Sequence, residues 1–170
     1  MADFSPLNLA RWIEEHRDQL KPPVGNKLIW RERQFTVMIV GGPNIRKDFH
    51  INPTEEFFYQ LEGDMVLRIM DENLKRVDIP IREGEIYLLP KLVPHSPQRP
   101  EGTIGMVVEM ERPKDQLDHV RYYCDKCDHV LFDPTFYCID LGTQLKPLIE
   151  QFKGDLALRT CDQCSHVMEL

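Results

Sequence analysis

The sequence has no apolar run of the roughly 20 residues that a membrane-spanning helix needs, and charged residues are spread through its first 20 positions. We therefore predict a cytoplasmic protein without a signal peptide or a membrane partner. Basic residues are outnumbered by acidic ones: the sequence has 21 Lys and Arg and 28 Asp and Glu, and the formal net charge is −7. This composition does not support a basic surface that binds the phosphates of a nucleic-acid backbone, so nucleic acid is not expected as a partner.

In the segment that precedes Pro113, helical periodicity is confined to the N-terminal residues. Apolar residues at helical spacing from Leu7 to Leu20 predict an N-terminal helix that ends before Pro22. After it, short apolar runs alternate with turn residues, and the absence of crossover helices excludes a parallel α/β sheet. We predict an all-β fold, a double-sheet jelly-roll barrel of antiparallel strands. The predicted strands are Lys27–Trp30, Phe35–Val40, Glu56–Leu61, Met65–Met70, Val77–Ile81, Glu85–Leu89 and Ile104–Glu109.

Beyond Pro113 the composition changes, which places a predicted boundary near residue 115. Residues 1–115 form the predicted barrel with its helix, and residues 116–170 form a small C-terminal extension. The extension contains an acidic linker over residues 114–119, a strand-like stretch over residues 130–139, a helical stretch over residues 142–152 and two cysteine pairs.

The cysteine pairs have the pattern C-x2-C, and 33 residues separate Cys124 and Cys127 from Cys161 and Cys164. Each pair presents two thiolates from one tight turn, and two such turns form a tetrahedral site in which all four ligands are cysteines. Such a site is structural and binds zinc or a rubredoxin-like single iron. Disulfides are disfavoured in the cytosol, and the βαβ pattern of a thioredoxin is missing. Cys138 is left over and is predicted to be a small buried hydrophobe.

Three further residues form a second candidate metal centre. His50, Glu56 and His95 stand in register with glycines and a proline, in the pattern Gly42-x7-His50-x5-Glu56-x6-Gly63 and Gly84-x5-Pro90-x4-His95. Two imidazoles and one carboxylate leave coordination positions open, as in non-haem iron oxygenases. The spacing resembles the paired motifs of the cupin superfamily. In this chain Asn52 replaces the usual second histidine and Leu92 a usual glycine, which leaves three protein ligands.

Charged residues near this centre are candidates for substrate contacts. Arg46 and Arg99 each lie four residues from a predicted histidine ligand, and an arginine there suits a substrate carboxylate. By strand alternation Glu109 points the same way as Val107, into the predicted barrel. A carboxylate in an apolar interior is a candidate acid or base.

Several segments together resemble the 3-hydroxyanthranilate 3,4-dioxygenase family in its microbial and fungal form, from about residue 7 to Cys164. These segments are PPVGNK, GGPN-x-R-x-D-x-H, EEFFYQLEG, LLP-x4-HSPQRP, VVE-x-ERP and YCDKC. The resemblance implies that O2 opens the ring of 3-hydroxyanthranilate and that the product cyclises to quinolinate, a precursor of NAD in the kynurenine pathway. It also implies a homodimer.

The resemblance assigns roles to individual residues. It implies catalytic Fe(II) on His50, Glu56 and His95, and a second iron on the four cysteines. It places Arg46 beside the oxygen position, and Arg99 and Glu109 on the substrate. Substrate contacts are further implied for Glu56, Asn26, Val24 and Phe58.

Two alternatives remain open on the sequence alone. One is a different enzyme on the same scaffold, such as an isomerase or a dioxygenase of cysteine or of a diol. The other is a storage or sensor domain with a zinc-ribbon tail, which would bind a ligand without consuming O2.

Overall fold

The computed structural model describes residues 5–22, 25–30, 34–139 and 141–169. Helix α1 spans Leu9–His16, a 3-10 turn spans Arg17–Leu20, α2 spans Leu141–Gly154 and α3 spans Leu156–Arg159. Within these residues there are twelve strands: β1 Asn26–Trp30, β2 Phe35–Gly41, β3 Phe49–Ile51, β4 Glu56–Glu62, β5 Met65–Met70, β6 Arg76–Ile81, β7 Ile86–Leu89, β8 His95–Gln98, β9 Ile104–Met110, β10 Asp118–Tyr123, β11 Val130–Phe132 and β12 Thr135–Phe136. No helix of the described residues is long and apolar enough to cross a membrane.

The strands form two antiparallel sheets. The first sheet has the order β1-β2-β9-β4-β7, and the second has the order β11-β10-β3-β8-β5-β6, with β12 paired to β10. The main core contains Phe58 and Val107 from the first sheet and Met65 and Leu67 from the second, so the sheets pack face to face. The predicted all-β double-sheet fold with an N-terminal helix is confirmed.

The N-terminal helix covers one end of the first sheet. Asn8 caps α1, because its side chain accepts a hydrogen bond from Arg11 N at 3.0 Å. Ile13 and Leu20 are buried against Ile39 of β2 and Ile104 of β9. The predicted helix over Leu7–Leu20 is thus confirmed, although its last turn tightens into the 3-10 form.

A glycine pair at the end of β2 lets backbones approach closely beside the site. A Cβ on Gly41 would lie 2.1 Å from the carbonyl oxygen of Leu20, and one on Gly42 would lie 1.8 Å from that of Pro100. The chain then forms a two-residue bridge in which Asn44 N and Arg99 N each donate to the other's carbonyl, at 2.8 and 3.0 Å. This bridge fixes the backbone of Arg99.

All seven predicted strands are present, but three strands were missed. Two of them, β3 and β8, have only three and four residues, and β8 contains Pro97. The third, β10, begins in the segment predicted to be an acidic linker and pairs with β3 through His119–Ile51, Val120–His50 and Arg121–Phe49. The stretch predicted as one strand over residues 130–139 is two short strands, β11 and β12.

The C-terminal part packs on β10. Val120 and Tyr122 form a second core with Leu145, Phe152 and Met168, and the rings of Tyr122 and Phe152 stack with centroids 3.7 Å apart. Strand β10 also pairs with β3. It is therefore a strand of the second sheet and also the surface on which the C-terminal extension packs. The boundary near residue 115 stays a prediction. Cys138, predicted to be buried, is only half-buried.

Candidate active site and metal centre

His50, Glu56 and His95 meet between the two sheets. His50 on β3 and His95 on β8 are direct cross-strand partners in the second sheet, and Glu56 begins β4 in the first. All three side chains are buried, and their potential ligand atoms lie within 4.8 Å of one another. The predicted cluster is therefore assembled by strand pairing and by the packing of one sheet on the other.

Hydrogen bonds orient His95 and Glu56. His95 Nδ1 lies 3.0 Å from the carbonyl oxygen of Val93, which directs Nε2 toward Glu56 Oε2 at 3.1 Å. Asn52 Nδ2 donates to the same Oε2 at 3.0 Å. The asparagine at the position of the usual second cupin histidine thus holds the carboxylate of a candidate ligand. Such contacts fix the orientation of metal ligands.

The charge state of Glu56 suits a metal. Burial by itself raises the pKa of this carboxyl, but His95 and His50 beside it lower the pKa overall. A carboxylate binds a metal in its ionised form. With two imidazoles and one carboxylate, the donor set fits a divalent transition metal such as Fe(II).

Two residues that the sequence did not predict complete the site. His50 Nε2 lies 2.7 Å from Asp118 Oδ2, and Asp118 is fully buried. Arg112 Nε and Nη2 donate to Asp118 at 2.8 to 3.1 Å, and Arg112 Nη2 also donates to Glu109 Oε2 at 2.6 Å. Arg112 was detectable only as the cation three residues after Glu109, and Asp118 lay in a segment that looked like a linker.

Glu109 lies on β9 directly opposite Glu56 on β4. Its side chain is buried, as is that of Val107, in agreement with the predicted alternation. Burial and the nearby charge of Glu56 raise the pKa of Glu109 to about 7, although Arg112 acts in the opposite direction. A carboxyl with such a pKa exchanges a proton near neutrality, as an acid or base requires.

Arg99 is a buried cation without a matching anion. It is 1% exposed, its Nη1 donates to Gln60 Oε1 at 2.9 Å, and its Nε has no hydrogen-bond partner. Burial lowers its pKa to about 10. Within the described part of the chain no carboxylate forms an ion pair with Arg99, so the guanidinium offers a forked donor to an anionic ligand.

Four further residues were predicted to contact oxygen or the substrate. The guanidinium of Arg46 pairs with Asp48 and lines a cleft of about 480 Å³ between residues 44–48 and α2. Phe58 is buried, with its ring 6.4 Å from that of His95. Asn26 is exposed on β1, and Val24 lies outside the described residues. The roles of these four residues stay predictions.

The four cysteines meet in two equivalent turns. Asp128 N donates to Cys124 O at 3.0 Å and Ser165 N to Cys161 O at 2.8 Å, and both donors have a φ near +60°. The Sγ atoms of Cys124 and Cys164 are 3.6 Å apart, as are those of Cys127 and Cys161. A tetrahedral metal with sulfur ligands at about 2.3 Å needs sulfur separations of about 3.8 Å, so the donor set fits a single metal ion.

A pair of packed antiparallel sheets with a buried two-histidine, one-carboxylate cluster defines the class, a β-sandwich with a candidate mononuclear metal site. The comparisons with known proteins are more specific. The family model described as 3-hydroxyanthranilic acid dioxygenase matches residues 1–153. The chain belongs to this family.

Close relatives cover nearly the whole chain. A protein of Xanthomonas euvesicatoria pv. vesicatoria named 3-hydroxyanthranilate 3,4-dioxygenase is 51% identical over 162 residues, which are 95% of this chain and 91% of the relative. A protein of Neurospora crassa with the same name is 50% identical and covers 94% and 88%. A solved cupin-2 domain protein of Shewanella frigidimarina has a TM-score of 0.48 at 20% identity and covers 58% of this chain and 91% of its own.

The unmatched charge of Arg99 gives a prediction about stability. In the metal-free protein Arg99→Met is expected to raise the free energy of unfolding by about 1–3 kcal/mol, because a buried guanidinium with an unsatisfied Nε is replaced by an apolar side chain. Arg112→Met is the control. It leaves the buried carboxylates of Asp118 and Glu109 without their cationic partner and is expected to lower the free energy of unfolding by about 3–5 kcal/mol. Urea denaturation measures both. A loss of stability in Arg99→Met would contradict the account of Arg99.

Proposed function

We propose that this protein catalyses the ring-opening dioxygenation of 3-hydroxyanthranilate. Both atoms of O2 enter the product, 2-amino-3-carboxymuconate semialdehyde, which then cyclises to quinolinate, a precursor of NAD. One observation carries the proposal: a single buried centre contains the cluster of His50, Glu56 and His95, which can hold a metal, and the unpaired Arg99, which can bind a carboxylate. The family membership and the names of the close relatives support the same reaction.

The metal of the three-residue cluster is proposed to be Fe(II). His50, Glu56 and His95 would hold it, and the bound ion would supply Lewis-acid and redox chemistry for an ortho-aminophenol and O2. The side chain of Asn52 keeps Glu56 oriented toward this position. Phe58 beside His95 helps to keep water out, since it is buried in the sandwich core.

The chain's own residues bind and deprotonate the substrate. Arg99 anchors the ring carboxylate through a forked pair of hydrogen bonds, and Gln60 holds the guanidinium in place. Glu109 accepts a proton from the hydroxyl or amine of the substrate as the substrate binds, and the pKa of Glu109 near 7 suits this transfer. Arg46 is proposed to lie beside O2, and Asn26 and Val24 to line the pocket.

Oxygen consumption tests the reaction. Protein loaded with ferrous iron and supplied with 3-hydroxyanthranilate is expected to take up O2 and to form the yellow semialdehyde, followed with an oxygen electrode and a spectrophotometer. His95→Ala is expected to abolish both signals, because it removes a metal ligand. Ligand binding without O2 uptake would favour a sensor and reject the enzyme.

A substrate without the carboxylate tests Arg99 and separates this reaction from others on the same scaffold. The Arg99→Met variant is expected to raise KM for 3-hydroxyanthranilate about 10- to 100-fold, the equivalent of losing hydrogen bonds to a charged group worth about 1.5–3 kcal/mol. With 2-aminophenol, which lacks the carboxylate, wild type and variant are expected to share one KM. An unchanged KM for 3-hydroxyanthranilate would remove Arg99 from the site.

The four-cysteine centre is proposed to hold one structural iron or zinc ion. Elemental analysis of purified protein is expected to find two metal ions per chain in the wild type and one in Cys161→Ser, and to identify the metal that is lost. Cys138→Ser is the matched control and is expected to keep both ions. Equal metal content in the wild type and Cys161→Ser would contradict a metal at this centre.

The assembly and location of the protein are also proposals. We also propose a homodimer, as the sequence resemblance implies, and the exposed apolar residues Ile86 and Leu88 on β7, an edge strand of the first sheet, support it. A cytoplasmic location without nucleic-acid or membrane partners is supported by the acidic composition.

A further inference from the structure

The proposed metal centre is connected to the proton-accepting carboxylate by a chain of buried hydrogen bonds. The chain runs from His50 through Asp118 and Arg112 to Glu109, with successive separations of 2.7, 2.8 and 2.6 Å. Each of the four residues is at most 6% exposed. Arg112 is the central member, because its Nη2 donates to one oxygen of each carboxylate.

The two ligand histidines are held in different ways. His95 uses Nδ1 on a backbone carbonyl, whereas His50 uses Nε2 on the carboxylate of Asp118. The contact with Asp118 leaves Nδ1 as the nitrogen of His50 that is available to a metal. A carboxylate behind a ligand histidine fixes its tautomer and ring orientation and makes it a stronger donor.

The position of Asp118 is set by strand pairing and by contacts with Arg112. Asp118 begins β10, and the next two residues pair with Ile51 and His50 of β3. Its two oxygens receive three hydrogen bonds from Arg112 in addition to the contact with His50. The carboxylate is thus held in place before His50 takes up a ligand.

We infer that Asp118 is a positioning residue for the catalytic metal centre, which orients His50 toward the metal, and that Arg112 holds Asp118 and Glu109 in one rigid frame. The inference rests on the proposed metal centre at His50, Glu56 and His95. An alternative explanation is that Asp118 serves only as the counterion that allows Arg112 to be buried. The two explanations differ in their effect on metal affinity.

Mn(II) titration of the metal-free protein, followed by electron paramagnetic resonance, tests the inference. Mn(II) prefers carboxylate and imidazole to thiolates, so the four-cysteine centre does not compete. Asp118→Asn is expected to weaken Mn(II) binding 10- to 100-fold, the usual effect of losing such an outer contact. Asp133→Asn is the matched control, because Asp133 Oδ1 lies 3.0 Å from Nδ1 of His119, outside the metal centre. It is expected to leave the Kd unchanged.

The outcomes separate the inference from the proposed function. A wild-type protein that binds no Mn(II) overturns both the metal centre and the role of Asp118. If the wild type binds Mn(II) and Asp118→Asn binds it equally well, only the role of Asp118 is overturned, and lower thermal stability of the metal-free variant then identifies a mere counterion. If Asp118→Asn does not fold, Asp118→Glu replaces it. The Glu variant keeps the charge but displaces the carboxylate, so weaker binding supports the inference and wild-type binding overturns it.

Discussion

The cost of burying charge between two apolar sheets governs the arrangement of this site. An ionised group in such an interior is stable only when it is paired or hydrogen-bonded. Glu56 meets His95 and Asn52, Asp118 meets His50 and Arg112, and Glu109 meets Arg112. Arg99 departs from this rule, because among the described residues its guanidinium has a hydrogen bond only to the neutral side chain of Gln60. The compensated charges are stable in the folded interior, and the uncompensated one is where we propose that an anionic substrate binds.

Much of the fold was accessible to sequence analysis because the signals were local. Alternation and turn residues revealed the long strands of the sandwich, and helical spacing revealed α1. The strands β3 and β8 were missed because three or four residues, one of them a proline, show too little periodicity. Yet these two strands carry His50 and His95. Motif spacing identified the histidines, and strand periodicity did not.

The support of the site was harder to predict than its ligands. Asp118 is buried in a stretch of mixed polarity, and its importance comes from the pairing of β10 with β3, a contact between residues almost 70 positions apart. Such pairing leaves no trace in local composition. The role of Asn52 was equally hidden, since the sequence showed only that a usual histidine was missing. In the structure this asparagine donates to a ligand carboxylate.

Strand β10 has a consequence for how this chain can be divided. It shields the edge of β3, carries Asp118 at its start and leads directly into Cys124 at its end. A chain cut near residue 115 would expose the backbone donors and acceptors of β3 along an unpaired edge, where another chain can add and aggregation begins. The C-terminal segment is therefore a structural part of the second sheet. One strand therefore ties the folding of the sandwich to that of the cysteine centre.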